Sequence, residues 1–178
     1  MRKFFEWVVV LAVIVGLAMV VRVYAIEPRQ VRMSSMYPTL NDGDYILVNR
    51  MAYLFDGPKR GDIVIFEPPY TGKDDYIKRV VGLPGERIEY KGGEIWINGE
   101  RIIETSNHVL SDPSGEITNL ETGKSESGEL IGEDEYYVIG DNRSHSLDSR
   151  AFGPVQKSKI LGKAFLIFLP PKHFQFIP

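Results

Sequence analysis

A run of fifteen uncharged residues, Trp7 to Val21, lies between Arg2-Lys3 and Arg22 and constrains the N-terminus more tightly than any other feature of the chain. Such a stretch favours lipid over water. Spanning a bilayer takes roughly 20 residues. Trp7 to Ile26 supplies them if the Arg22 head group reaches back toward the interface, with Trp7 and Tyr24 as interfacial anchors. A basic start and an apolar centre also fit a cleavable signal peptide. Arg22, Val23, Tyr24 and Ile26 crowd around Ala25, however, so no small-x-small cleavage site follows cleanly, and retention is the expectation. Arg2 and Lys3 then remain in the cytoplasm and everything after Ala25 lies outside. The expected division is 1–26 as cytoplasmic tip and single N-terminal transmembrane helix, and 27–178 as an extracytoplasmic domain.

That second part reads as an ordinary folded domain, because 43% apolar and 25% charged residues match globular averages. A net charge of −3 and no basic run longer than Pro58-Lys59-Arg60 leave no footprint for phosphate backbones, so nucleic acid is excluded as a partner. The absence of cysteine removes disulfides, thiol catalysis and zinc–thiolate sites, and three scattered histidines (His108, His145, His173) do not make a metal site. Any catalysis has to use oxygen and nitrogen groups.

Short β-branched and aromatic runs recur between turn signals: Tyr45–Val48, Ile63–Phe66, Tyr76–Val81, Glu94–Ile97, Tyr136–Ile139 and Ala164–Leu169. Asn41-Asp42-Gly43, Pro68-Pro69, Leu83-Pro84-Gly85, Gly92-Gly93 and Asn98-Gly99 punctuate them. The expected fold is mostly β, built of antiparallel sheets or a partly open barrel. Around 105–135 the composition turns polar and acidic, which predicts a surface insertion.

Three segments carry candidate chemistry. Ser34 to Leu40 is a polar turn just after the apolar run, where most serines are structural. Tyr76-Ile77-Lys78-Arg79-Val80-Val81 places two adjacent cations in a strand whose period of two puts Tyr76, Lys78 and Val80 on one face. Either the strand lies at an edge with both heads in water, or one cation faces inward. A buried lysine loses proton affinity and becomes a base able to activate a serine. The third segment, Gly140 to Arg150, is dense in hydrogen-bonding groups, and its His145 and Asp148 leave open a Ser35–His145–Asp148 triad assembled in space.

Taken together, these blocks resemble the bacterial type I signal peptidases, also called leader peptidases, a Ser/Lys-dyad serine protease family. The likeness rests on Ser35-Met36-Tyr37-Pro38-Thr39-Leu40, on Arg60–Val64 with Tyr76–Gly85, and on Gly140–Arg150, in that order behind one apolar N-terminus. The resemblance implies a β-rich signal-peptidase-like catalytic domain related to self-cleaving repressors. Ser35 would be its nucleophile and Lys78 its general base and acid. By position it makes Ser146 the serine that orients the lysine, and Asp148 and Arg150 a supporting ion pair. It implies exported preproteins with small residues at the first and third positions before the cleaved bond as partners, the lipid bilayer as another, and no metal or cofactor. The expected location is the bacterial cytoplasmic (inner) membrane, single-pass, with the catalytic domain outside. One position departs from the family, which has Ser, Thr or Gly two residues before the nucleophile, where this chain has Met33. Methionine offers no hydroxyl to the oxyanion, so the Ser35 backbone N–H is the donor that remains. A catalytically inert, membrane-tethered relative that binds leader segments or partner proteins is the alternative from another class. A self-cleaving repressor is a third, against which the apolar N-terminus argues.

Overall fold

The computed structural model describes residues 2–69, 74–91, 94–102 and 128–177. The Gly92-Gly93 turn, His108 and most of the expected polar insertion at 105–135 lie outside them.

Helix α1 (Arg2–Ala25) carries the apolar run. The transmembrane helix expected there is corrected, because among the described residues no helix is long and apolar enough to cross a membrane. Charge placement supplies a physical reason. Arg2, Lys3 and Glu6 occupy the first turns and Arg22 the last, leaving the fifteen residues Trp7 to Val21 uncharged. At about 1.5 Å per residue they cover roughly 22 Å against a hydrocarbon core of about 30 Å.

The rest is mostly β. Along the chain run β1 (Ile26–Gln30), β2 (Tyr45–Asn49), β3 (Ile63–Phe66), β4 (Tyr76–Gly82), β5 (Arg87–Lys91) and β6 (Glu94–Ile97). After them come β7 (Glu100–Arg101), β8 (Glu129–Leu130), β9 (Glu135–Ile139), β10 (Val155–Gln156), β11 (Ile160–Leu169) and β12 (Gln175–Phe176), with a short helix α2 (Ser149–Phe152) between β9 and β10. One sheet runs β1-β2-β11-β3-β4-β9-β10 with β12 paired to β11, and a smaller one runs β7-β6-β5-β8. The pairings are antiparallel, as in β3 against β4 and β5 against β6.

All six expected runs lie in strands, and the reason is clearest in β3. Every residue of Ile63-Val64-Ile65-Phe66 is buried, because the strand has neighbours on both sides and cover on both faces. Ile63 and Ile65 pack with Met36, Leu40, Ile46 and Val48, while Val64 and Phe66 pack with Val80, Tyr136 and Val138. A third cluster, with Ile88, Ile95, Ile131 and Tyr137, includes Val81 and Ile139 of the large sheet and so joins the two sheets. β1 and β5 were not among the expected strands, since Ile-Glu-Pro-Arg-Gln and Arg-Ile-Glu-Tyr-Lys lack an apolar run. They are strands through their pairing with β2 and β6.

Gly162 marks a tight backbone approach inside the large sheet. It lies in β11 between β2 and β3, where a Cβ would meet the Asn49 carbonyl oxygen at 2.6 Å and Val48 Cγ1 at 2.9 Å. Backbone cannot yield as a side-chain tip does. Gly162→Ala should lower unfolding stability by about 1–3 kcal/mol, read as a reduced urea midpoint at unchanged slope.

Candidate active site

The chain leaves β1 and makes a turn that is anchored at both ends. Val31 N–H donates to the Asp44 carbonyl (2.8 Å), and Gly43 N–H to the Val31 carbonyl (3.0 Å). Beyond Ser35, the buried side chains of Met36 and Leu40 hold the turn to the core. From the other side, Asn142 donates through its N–H to the Ser35 carbonyl (3.0 Å) and through Nδ2 to the Ser34 carbonyl (3.1 Å). The position of the Ser35 hydroxyl is thus set by backbone bonds from two distant loops.

Lys78 comes from β4, which is an interior strand of the sheet and not an edge. Its first residues nonetheless have one open side, since β3 pairs with Tyr76 to Arg79 whereas β9 begins its pairing at Arg79. The Lys78 side chain is buried, 4% exposed, and its Nζ donates to Ser35 Oγ (2.8 Å) and to the Ile77 carbonyl (3.0 Å). Burial strips water from the ammonium and pushes the amine down to about 8. The carboxylates of Asp148 and Asp141 oppose that fall, and the Arg150 guanidinium adds to it. A neutral amine against a serine hydroxyl is an arrangement that can take the hydroxyl proton.

Arg79 leaves β4 on the opposite face and is also paired. Its Nε and Nη2 reach the two Asp141 oxygens (2.9 and 2.7 Å), Nη1 donates to the Gly61 carbonyl (2.8 Å), and Thr39 Oγ1 donates to Asp141 Oδ2 (2.5 Å). Arg79, Asp141, Thr39 and Asn142 escaped the sequence reading as site residues. A signal for them existed in Arg79, because a second cation beside Lys78 in an interior strand requires a carboxylate from elsewhere.

The loop after β9 is latched by Asp148. This buried carboxylate accepts from Arg150 Nε and Nη2 (2.8 Å each), from Arg150 N–H (3.2 Å) as the N-cap of α2, and from Gly140 N–H (3.0 Å). Asp148 and Arg150 are therefore brought together. His145 lines the same groove as Ser35, yet it is exposed and its Nδ1 is turned to Ser144 Oγ (2.9 Å) and Asn142 Oδ1 (3.3 Å), with no hydrogen bond to Ser35 or Asp148. The Ser35–His145–Asp148 triad is not assembled. Ser146 Oγ is buried and has no hydrogen-bond partner among the described residues, so in this conformation it does not bond Lys78. It lies against Gly140, where a Cβ would meet Ser146 Oγ at 2.1 Å and the Ser35 carbonyl oxygen at 2.6 Å. Only glycine allows the two loops this close.

Met33 sits at the groove mouth with its side chain 68% exposed and its N–H bonded to Asp42 Oδ1 (2.8 Å). Its φ of 69° lies in the left-handed region that favours glycine. The groove itself has a volume of about 520 Å³. One wall is formed by Arg29 to Met33 and the other by Asp74 to Lys78, with Ser35, Met36 and Ile65 also lining it. Among the described residues no cluster of three His, Asp or Glu side chains could hold a metal ion.

The chain is similar to proteins of one family. The family model described as "Signal peptidase, peptidase S26" matches residues 4–169. A protein named signal peptidase IB from Staphylococcus aureus (strain MRSA252) is 33% identical over 98% of this chain and 94% of its own length. One named probable signal peptidase I-2 from a Synechocystis species is 35% identical over 86% of this chain and 68% of its own. A crystal structure of a signal peptidase I from Enterococcus faecalis V583 is 32% identical and covers 60% of this chain and 95% of its own, with a TM-score of 0.42.

Stability should report the buried lysine independently of any reaction. The folded amine titrates at about 8 and the ordinary one at 10.5, so between these values the unfolded chain holds a proton that the folded chain lacks. Stability from this group therefore rises with pH across that window. Lys78→Met, which removes the titration and keeps the length, should flatten that rise when urea unfolding is followed from about pH 7 to about pH 11.

Proposed function

Because the chain belongs to the signal peptidase family, peptidase S26, we propose that it removes signal peptides from exported preproteins with Ser35 as nucleophile and Lys78 as base. Membership makes it a serine protease of the signal peptidase I kind. The observation that carries the residue assignment is the 2.8 Å contact between Ser35 Oγ and the Nζ of a buried lysine.

In the proposed reaction the neutral Lys78 amine takes the hydroxyl proton as Ser35 Oγ attacks the scissile carbonyl. Collapse of the tetrahedral intermediate breaks the C–N bond, and the Lys78 ammonium gives its proton to the departing amine. An ester on Ser35 remains. A water then loses a proton to Lys78 as it attacks that ester, and the signal peptide leaves as a carboxylic acid while the proton returns to Ser35. Once Ser35 is acylated, Lys78 needs another acceptor. Ser146, a buried hydroxyl without a partner among the described residues, is the group proposed to orient it. The Asp148–Arg150 pair supports the loop that carries Ser146.

Substrate is proposed to bind as an added strand on the open side of Tyr76 to Lys78, with small residues first and third before the cleaved bond. The site is proposed to work on the extracytoplasmic side, at the surface of the cytoplasmic membrane where preproteins emerge. Exposed Met33 and Tyr37 beside the groove suit a lipid-facing rim. An inert leader-binding relative is less favoured, because it has no chemical need for a neutral lysine against a serine hydroxyl.

Incubating the full chain in detergent with a preprotein tests the reading directly. Ser35→Ala and Lys78→Ala should each abolish the shortened product while the protein stays folded, and the double variant should be no worse, because the two groups act as a unit. In the parent, kcat/KM should rise with pH through an apparent pKa of about 8, where Lys78 loses its proton. A rise displaced to the ordinary lysine value would show an exposed lysine and exclude the buried base.

Met33 yields a separate expectation. A hydroxyl introduced by Met33→Ser should raise kcat, since one oxyanion donor is typically worth about 10²–10³-fold, while KM changes little. Equal kcat for the parent, Met33→Ser and Met33→Gly would remove this side chain from the mechanism.

A further inference from the structure

The small sheet bears on the loop that follows β9, through residues that do not line the groove. In β5, a period of two puts Ile88 and Tyr90 on the face that packs against Val81 and Ile139 of the large sheet. The Tyr90 ring lies over the Arg150 guanidinium, its centre 5.7 Å from Cζ. Glu129 of the neighbouring strand β8 faces the other end of α2, where a Cβ on Gly153 would meet its Oε1 at 3.7 Å. Arg150 needs such a neighbour. Its Nε and Nη2 are taken by Asp148 (2.8 Å each), and Nη2 also reaches the carbonyls of Arg143 (2.8 Å) and Ser146 (3.5 Å). Nη1 is buried and has no hydrogen-bond partner among the described residues. A guanidinium only 10% exposed keeps little water to compensate it, and the electron-rich face of an aromatic ring supplies that compensation.

We propose that Tyr90, from the small sheet, is a positioning residue for the reaction, holding the Arg150 guanidinium in the place where it clasps the loop from Arg143 to Asp148 beside Lys78. The inference rests on the function proposed above. Arg150 grips that loop through two backbone carbonyls and the Asp148 carboxylate. Without the ring its charge is better served by turning toward water, and the grip loosens. The effect reaches Lys78 through charge. Burial pushes the lysine amine down, the carboxylates of Asp148 and Asp141 oppose the fall, and Arg150 adds to it. A guanidinium that turns away withdraws its repulsion and leaves Asp148 with its charge less compensated. Both changes return proton affinity to Lys78, so less of the base is neutral at a given pH.

Preprotein cleavage by the full chain in detergent, followed as kcat/KM against pH, tests the inference. Tyr90→Phe keeps the ring and should match the parent. Tyr90→Leu keeps apolar bulk without a π face. It should lower kcat/KM about tenfold near neutral pH, the order of one desolvated cation–π contact, with KM unchanged because no groove residue is altered. Its apparent pKa should lie above the parent's, so that the loss shrinks as the pH rises and the lysine becomes neutral in both. If Tyr90→Leu does not fold, judged by its urea midpoint, increasingly fluorinated phenylalanines at the same position keep the shape while withdrawing the negative face of the ring, and kcat/KM should fall stepwise along the series. An unchanged pH profile in folded Tyr90→Leu, Tyr90→Phe as impaired as Tyr90→Leu, or rates independent of fluorination overturns the inference while leaving the proposed function intact. Failure of the folded parent to cut the preprotein removes the proposed function and the inference with it.

Discussion

The bidentate pair between Arg79 and Asp141, with Thr39 Oγ1 donating to the same carboxylate, ties three segments together that are far apart in the chain. Thr39 belongs to the turn that carries Ser35, Arg79 follows Lys78 in β4, and Asp141 opens the loop that leads to Ser146 and Asp148. Neither partner reaches much solvent, at 15% and 2% side-chain exposure. A buried pair adds little net stability when intact, yet removing one partner costs about 3–5 kcal/mol because the other charge is stranded. That asymmetry gives the contact its value for placement. The next residue after Asp141 is Asn142, which holds the Ser34 and Ser35 carbonyls, so the ion pair and the serine turn are coupled through one peptide unit.

Lys78 and Arg79 show how adjacent cations in one strand acquire opposite properties. Period two sends them to different faces. Arg79 meets a carboxylate directly and keeps its charge. Lys78 meets a hydroxyl and a carbonyl, neither of which carries a charge to hold the proton, and desolvation outweighs the attraction of the more distant Asp141 and Asp148. Asp148 is turned instead toward Arg150, whose own charge further disfavours the lysine ammonium. Carboxylates thus stand near the lysine without neutralising it by contact.

Much of the architecture was legible from pattern alone. Six apolar runs predicted strands, because burial on a sheet leaves a short-period record in the residues themselves. β1 and β5 left no such record, since their Glu, Arg and Lys side chains reach water and only their backbones enter the ladders. The N-terminal run misled for the opposite reason. Its composition read as a bilayer span, yet crossing also depends on uncharged length, and among the described residues no helix is long and apolar enough to cross.

Residue order by itself determined which groups were available: a serine in a polar turn, two cations in a β-branched strand, and a loop rich in hydrogen-bonding side chains, with no thiol to compete. Only the tertiary structure decided which of them meet. That Lys78 and not His145 stands at 2.8 Å from Ser35 depends on β4 being interior with one side open near its start, a matter of strand order over the whole sheet. Whether Ser146 bonds the lysine depends on how closely Gly140 lets two loops approach, and whether Arg29 faces water or Asp75 depends on the separation of two walls that are distant in sequence. A sequence records the preferences of each residue for water, for charge and for backbone shape. Contact between residues far apart in the chain is a property of the packed whole, because it follows from the sum of all those preferences together.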